Sequence, residues 1–186
     1  MTTLFLVRHG EVHNPAGIIY GRLPGYGLSA KGREQLTRAA AMLAPEAPFA
    51  ALYASPLQRA QESAGILAEH LHIPVRTDDL LMETGIDGYQ GKTFAELPRP
   101  YITEDPVHDG IECASSIRRR LLRWVEQACQ QHAGQRFLAV SHRDPIAIVL
   151  SHWQQRSLSQ LPDYPLEPGA VHRVDFKGGA IRVTAL

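Results

Sequence analysis

Leu4-Phe5-Leu6-Val7-Arg8-His9-Gly10 ends an apolar run in an arginine, a histidine and a glycine. The run is rich in strand formers and too short for a helix. It therefore delivers Arg8 and His9 together at a strand's C-terminal end, where Gly10 permits a sharp exit. In α/β sheets ligands bind at that end of the strands. The pair suits phosphate chemistry: a guanidinium fork grips phosphoryl oxygens, and a neutral imidazole nitrogen can attack phosphorus. The tripeptide alone is a weak signal, and the rest of the chain decides what it means.

The 186 residues fit a single domain spanning 1–186 with a proper core, and 44% of them are hydrophobic, which excludes a disordered chain. Lys+Arg and Asp+Glu both number 19, so no global charge points to nucleic acid or to an anionic membrane. Any anion site must come from local placement. Cys113 and Cys129 form neither a disulfide framework nor a metal-spacing motif and read as reduced thiols. The N-terminus lacks the pattern of a signal peptide, and no apolar run reaches the ~18 residues of a membrane span. The expectation is a cytoplasmic soluble protein. A homodimer is allowed.

From the first strand outward, strand and helix alternate. A loop rich in Gly and Pro covers 14–27. Ser29 is set to cap a helix to about 43. A short strand at 51–54 runs into Pro56, which is expected to open a helix to about 70. Residues 74–77 suggest a third strand, and 84–112 are turn-rich. A long helix covers about 114–132. An apolar strand at 137–140 enters Ser141-His142, and Asp144-Pro145 reads as N-cap and first residue of a helix to about 153. Residues 171–176 and 181–184 form a hairpin. The pattern predicts an α/β fold: a three-layer sandwich with a mainly parallel central sheet flanked by helices.

Three further strand ends carry polar groups. Arg59 in Ser55-Pro56-Leu57-Gln58-Arg59-Ala60 falls in a helix's first turn, an unfavourable place for a cation unless an anion sits there too. His142 follows the strand at 137–140. Glu83, beside Leu81 and Met82, is an acid whose burial would raise its pKa towards that of a general acid. The ordinary readings are an exposed arginine, a structural histidine and a solvated glutamate. Their shared position at strand ends of one sheet weighs against all three.

Together these residues resemble the histidine phosphatase superfamily, which includes cofactor-dependent phosphoglycerate mutases. Arg8-His9-Gly10 with Asn14, Leu28-Ser29 through Gly32 and Gln35, the Ser55–Ala60 segment, Glu83 in LMETGIDGYQG, and Val140-Ser141-His142 match its motifs in order. The resemblance implies a phosphohistidine on His9, with Glu83 and His142 also catalytic and Arg8, Asn14 and Arg59 binding the phosphorylated substrate. It implies no cofactor and no metal. Arg143 stands where glycine is common and is expected either to point to solvent, the preferred reading, or to add a phosphate ligand; Tyr89-Gln90-Gly91 replaces Trp-Glu-Gly, Gly25 an aspartate, and Cys113 a serine.

The expected function is a metal-independent phosphatase of small phosphate monoesters. The alternatives are mutase-type phosphoryl transfer or a non-catalytic module that binds phosphorylated ligands. Phosphatase is preferred over mutase because residues 98–113 carry Glu104, Asp105, Asp109 and Glu112 against Arg99, an acidic lid that would repel a bisphosphate. The monoester itself is not named by the sequence: phosphoserine, a sugar phosphate, a nucleotide and a cobalamin-precursor phosphate all fit.

Overall fold

A computed structural model describes residues 1–186. The elements follow in the order β1 (Thr2–Arg8), α1 (Ala30–Leu43), β2 (Leu52–Ala54), α2 (Gln58–Leu71), β3 (Val75–Thr77), α3 (Ala114–Gln131), β4 (Arg136–Ser141), α4 (Arg143–Trp153), β5 (Val171–Lys177) and β6 (Ala180–Ala185). They build one six-stranded sheet, ordered β3-β2-β4-β1-β5-β6. The β3, β2, β4 and β1 strands are parallel, and the β5–β6 hairpin adds antiparallel to β1. The α/β architecture expected from the sequence is present. No helix is long and apolar enough to cross a membrane.

The period-2 alternation of the central strands explains the layers. Leu4 and Leu6 of β1, with Phe137 and Ala139 of β4, face one side and pack on Ile117, Leu121 and Trp124 of α3 and Ile146 and Leu150 of α4. Phe5 and Val7, with Leu138 and Val140, face the other and pack on Leu36 and Leu43 of α1 and Ala60 and Leu67 of α2. Both faces are covered, so the central strands are apolar throughout, as their sequences require.

Register positions the functional end. Arg8 pairs with Ser141 across β1–β4, and Ala54 pairs with Val140 across β2–β4. The residues just beyond, His9, Ser55 and His142, therefore emerge side by side at one edge.

Two helix starts differ from the sequence-based expectation. Helix α2 opens at Gln58 with Leu57 as N-cap, so Pro56 lies ahead of it, although Arg59 remains in the first turn. Helix α4 opens at Arg143 with His142 as N-cap. Asp144 is not the cap: its carboxylate accepts from the Tyr101 hydroxyl at 2.6 Å and from Arg143 at 3.2 Å. Pro145 is tolerated one residue further in because N–H groups of the first turn have no helical partner.

The loop after His9 is held by α1. Ser29 caps that helix by accepting from Gly32 N at 3.0 Å, and its hydroxyl donates to Glu11 at 2.9 Å. Gln35 accepts from Glu11 N at 2.8 Å. Backbones approach so closely that a Cβ at Gly32 would lie 2.1 Å from Glu11 O, and one at Gly10 would lie 2.4 Å from Gly32 O. Because the obstacles are main-chain oxygens, no rotamer change relieves them. Gly32→Ala should therefore lower unfolding free energy by about 1–3 kcal/mol, the usual cost of overpacking, despite alanine's better helix propensity. Urea denaturation measures this, and an unchanged or raised midpoint would show that the contact is not tight.

Candidate active site

His9 is 2% exposed. Its Nδ1–H donates to Gly10 O at 2.7 Å, which leaves the lone pair on Nε2. Arg59 Nε donates to that Nε2 at 3.3 Å. Burial, then the charges of Arg59 and Arg8, hold the His9 pKa well below the usual imidazole value, so the ring is neutral at neutral pH. His9 is thus buried, oriented and neutral, with its Nε2 lone pair turned towards Arg59.

Arg59 is 1% exposed. Besides His9 it reaches Gly21 O at 2.8 Å, and its guanidinium lies 4.7 Å from the centre of the Tyr20 ring. Arg8 donates through one terminal nitrogen to Leu166 O, while its Nε has no partner. His142 Nε2 meets Ser55 Oγ at 2.7 Å. Ser55 Oγ also accepts from Leu57 N at 3.4 Å; if it donates its own proton to His142 Nε2, the ring proton sits on Nδ1. That Nδ1 is unpartnered and buried, as is Thr84 Oγ1. The His9 and His142 rings are 5.1 Å apart.

Buried polar groups in native proteins are normally hydrogen-bonded. Arg8 Nε, His142 Nδ1 and Thr84 Oγ1 all belong to residues at or beside one cavity of about 180 Å³, walled by Arg8, Tyr20, Glu83, Thr84, Tyr101 and Asp144 among others. Unsatisfied donors gathered beside two guanidinium groups fit an oxyanion with several acceptors, which is what a phosphoryl group offers.

Glu83 faces the same space. Its Oε2 lies 3.9 Å from His142 Nδ1, its Oε1 accepts from Thr84 N at 2.9 Å, and 14% of its side chain is exposed. Burial first, and then the Asp144 charge, push its pKa up to about 7 against the pull of Arg59 and Arg8. A carboxyl that exchanges its proton near neutrality suits general acid–base work. The backbone around it is braced. Arg22 donates twice to Glu83 O, at 2.9 and 2.6 Å, and Arg120 donates to Leu80 O at 2.7 Å. Glu112 ties both arginines and Gly85 N together. Ser141 Oγ donates to Leu81 O at 2.7 Å, fastening the segment to β4.

The fold thus gathers Arg8, His9, Arg59, Glu83 and His142 in one place. Asn14 stands apart from them. Its amide is spent within the loop, donating to Ile18 O at 2.9 Å and accepting from Ile18 N at 3.3 Å. Arg143 is partly exposed and lies at the cavity wall, held by its own partners. It bonds Asp144, Leu161 O and Pro162 O. The acidic-lid expectation is corrected: Glu104 pairs with Arg118, Glu112 pairs with Arg22 and Arg120, and none of the segment's four acids lines the cavity. Counting charge within the segment missed cations donated from outside it. The acid that does reach the cavity is Asp144. Sequence reading missed the bracing by Arg22 and Arg120, which carries no local signature.

His9, Glu83 and His142 offer ligand atoms within 4.8 Å of one another, as a metal site would. The donor set does not fit a cation: the His9 lone pair already faces the Arg59 guanidinium, and Arg8 lies beside it.

Because burial raises the Glu83 pKa from 4.5 to about 7, folding disfavours its charged form. The penalty is absent at acid pH, where both states are protonated, and complete above pH 7. Glu83→Gln keeps the neutral shape, so its melting temperature should gain on that of the unsubstituted protein as pH rises from 4 to 8. A difference that stays flat across this range in calorimetry would show that the carboxyl is not strained.

Comparison with known proteins agrees with this geometry. The profile of the histidine phosphatase superfamily (branch 1) matches residues 4–186. Phosphoserine phosphatase 1 of Hydrogenobacter thermophilus is 30% identical over 156 residues, covering 78% of this chain and 73% of that one. The 2,3-bisphosphoglycerate-dependent phosphoglycerate mutase of Thermoplasma acidophilum is 28% identical over 187 residues, covering 97% and 90%. The solved structure of Bacillus stearothermophilus YhfR superimposes with a TM-score of 0.87 at 26% identity, covering 100% of this chain and 96% of that one. The order of its motifs, the sheet that brings them together and the match along its length place this chain in the histidine phosphatase superfamily.

Proposed function

We propose that the protein hydrolyses small phosphate monoesters through a phosphohistidine on His9, without a metal. The observation that carries the reading is the His9 ring, whose Nδ1 is committed to Gly10 O while its Nε2 lone pair lies among Arg59, Arg8 and His142. In the first step Nε2 attacks phosphorus, the bond to the ester oxygen breaks, and protonated Glu83 gives its proton to the leaving alkoxide. In the second, water attacks phosphorus, Glu83 takes the water's proton, and the N–P electron pair returns to Nε2. Arg8, Arg59 and His142 Nδ1–H hold the phosphoryl oxygens and offset their charge in both transition states.

Transfer to a second substrate's hydroxyl instead of water would make the protein a mutase, the activity named for the Thermoplasma relative. Hydrolysis is favoured because the cavity walls add only Arg143 to Arg8 as cations, and Arg143 is consumed by its own partners. Within that cavity a second anionic group would meet no further cation; Arg99 lies only in the adjoining space. A binding-only module would have no use for an acid whose pKa sits near 7.

His9→Ala should abolish turnover of p-nitrophenyl phosphate, and rapid quenching of the unsubstituted protein with labelled substrate should trap acid-labile phosphate on His9. An active alanine variant removes the mechanism. Activity should survive chelators; loss restored by a divalent metal ion would contradict the electrostatic role of the arginines.

Glu83→Gln should lower kcat by roughly 10²–10⁴-fold on alkyl phosphates. It should lower kcat far less on p-nitrophenyl phosphate, whose leaving group scarcely needs a proton. For alkyl substrates kcat/KM should decline as pH rises through about 7, since the protonated acid is required. A profile flat to pH 9 would assign the proton to another group.

A further inference from the structure

The phosphoryl cavity is small. Its volume of about 180 Å³ falls below the ~300–1,000 Å³ of ordinary ligand clefts, so a leaving group of any size needs other space. A second cavity of about 410 Å³ adjoins it and shares Tyr101 and Arg143 with it. Its walls come from the segment before α3 (Pro98, Tyr101, Ile102) and from the turn after α4 (Leu158, Leu161, Pro162).

The chemistry of this second space is one-sided. No acidic side chain lines it. The Tyr101 hydroxyl is given to Asp144, so the ring is what remains for a ligand. The Leu161 and Pro162 carbonyls are both taken by Arg143, whose third bond goes to Asp144. The polar groups at the boundary are thus satisfied by one another, in contrast to the unpartnered donors of the phosphoryl cavity. One cavity demands an anion, and its neighbour offers mostly apolar walls, with the exposed Arg99 among its lining residues.

We propose that the second cavity receives the leaving group, and that the substrates are phosphate monoesters of bulky, largely apolar alcohols. This rests on the phosphatase reading above. The ester oxygen would lie near Tyr101 and Arg143, with the phosphoryl group on the His9 side and the alcohol's hydrocarbon between Pro98, Ile102 and Leu158.

The test compares propyl phosphate with 3-phenylpropyl phosphate, two primary alkyl esters whose leaving alcohols differ little in acidity, so that a rate difference reports binding of the tail. Burial of a phenyl group predicts kcat/KM about tenfold to a hundredfold higher for the phenylpropyl ester. Ser159 lies on the cavity wall, is exposed, and touches none of the reacting groups. Ser159→Trp should fill the space, lower kcat/KM for the phenylpropyl ester and bring the ratio near one; Ser159→Ala should keep the ratio. Equal rates for the two esters in the unsubstituted protein, or a ratio untouched by Ser159→Trp, would overturn the leaving-group site while leaving the phosphatase reading intact. Failure to turn over either ester or p-nitrophenyl phosphate would overturn both.

Discussion

Arg59 carries a full positive charge at 1% exposure, and it has no carboxylate partner. Its contacts are a neutral imidazole, a main-chain carbonyl and the face of a tyrosine ring. Arg8, close by, is likewise without an ion pair and keeps an unpartnered Nε. Removing a cation from water costs several kcal/mol even after relaxation, and that cost is usually offset by an anion. Here the nearest acid is Glu83, which burial itself pushes towards neutrality. The fold therefore holds more positive charge than it neutralises, and the deficit is met only when an anionic ligand arrives. Much of the remaining architecture serves to keep those two cations where a phosphoryl group would meet them.

The supports are of two kinds. On the nucleophile's side they are steric: the bare backbones of Gly10 and Gly32 touch, and Ser29 and Gln35 fasten Glu11 to α1. On the acid's side they are electrostatic: Glu112 gathers Arg22 and Arg120, and those two arginines hold main-chain oxygens of the segment bearing Glu83. This network sets one carboxylate against two guanidinium groups, so besides fixing the position of Glu83 it leaves positive charge that helps hold the His142 pKa down. Asp144 does the reverse. It sits inside the cavity wall and its charge adds to the rise in the Glu83 pKa.

What could be read from the sequence follows from what is local. The strand ends bearing Arg8-His9 and His142, the Ser29 cap and the hairpin at β5–β6 are set by short apolar runs and capping residues, and they stand where expected. Arg59 was legible because a cation in a helix's first turn is out of place without an anion. Three expectations about charged side chains failed, each for a non-local reason. Asp144 was drawn from capping by Tyr101, 43 residues away. Arg143 was drawn partly from solvent by carbonyls at positions 161 and 162. Of the acids in residues 98–113, Glu104 and Glu112 pair with Arg22, Arg118 and Arg120, none of which belongs to that segment, and Asp105 and Asp109 lie exposed away from the cavity. Charge counted along the chain has little meaning until the partners across the fold are known.

The same burial acts on the two reacting groups in opposite directions. It lowers the pKa of His9, whose charged form is a cation, and raises that of Glu83, whose charged form is an anion. Each is therefore pushed towards its neutral form, and the neutral form is the one the proposed first step needs: an imidazole with a free lone pair and a carboxyl with a proton to give. In water His9 near 6.5 and Glu83 near 4.5 would leave almost no pH at which both conditions hold together. Once separated by the cavity, the two values leave a window from well below 6.5 up to about 7 in which they do. Arg59 and Arg8 widen the window at its lower end by repelling a proton from His9, and they narrow it at the upper end by pulling on Glu83. Asp144 opposes that second effect. A carboxylate beside an anion-binding cavity is thus consistent with the chemistry, because it keeps the acid protonated while its own charge is absorbed by Tyr101 and Arg143.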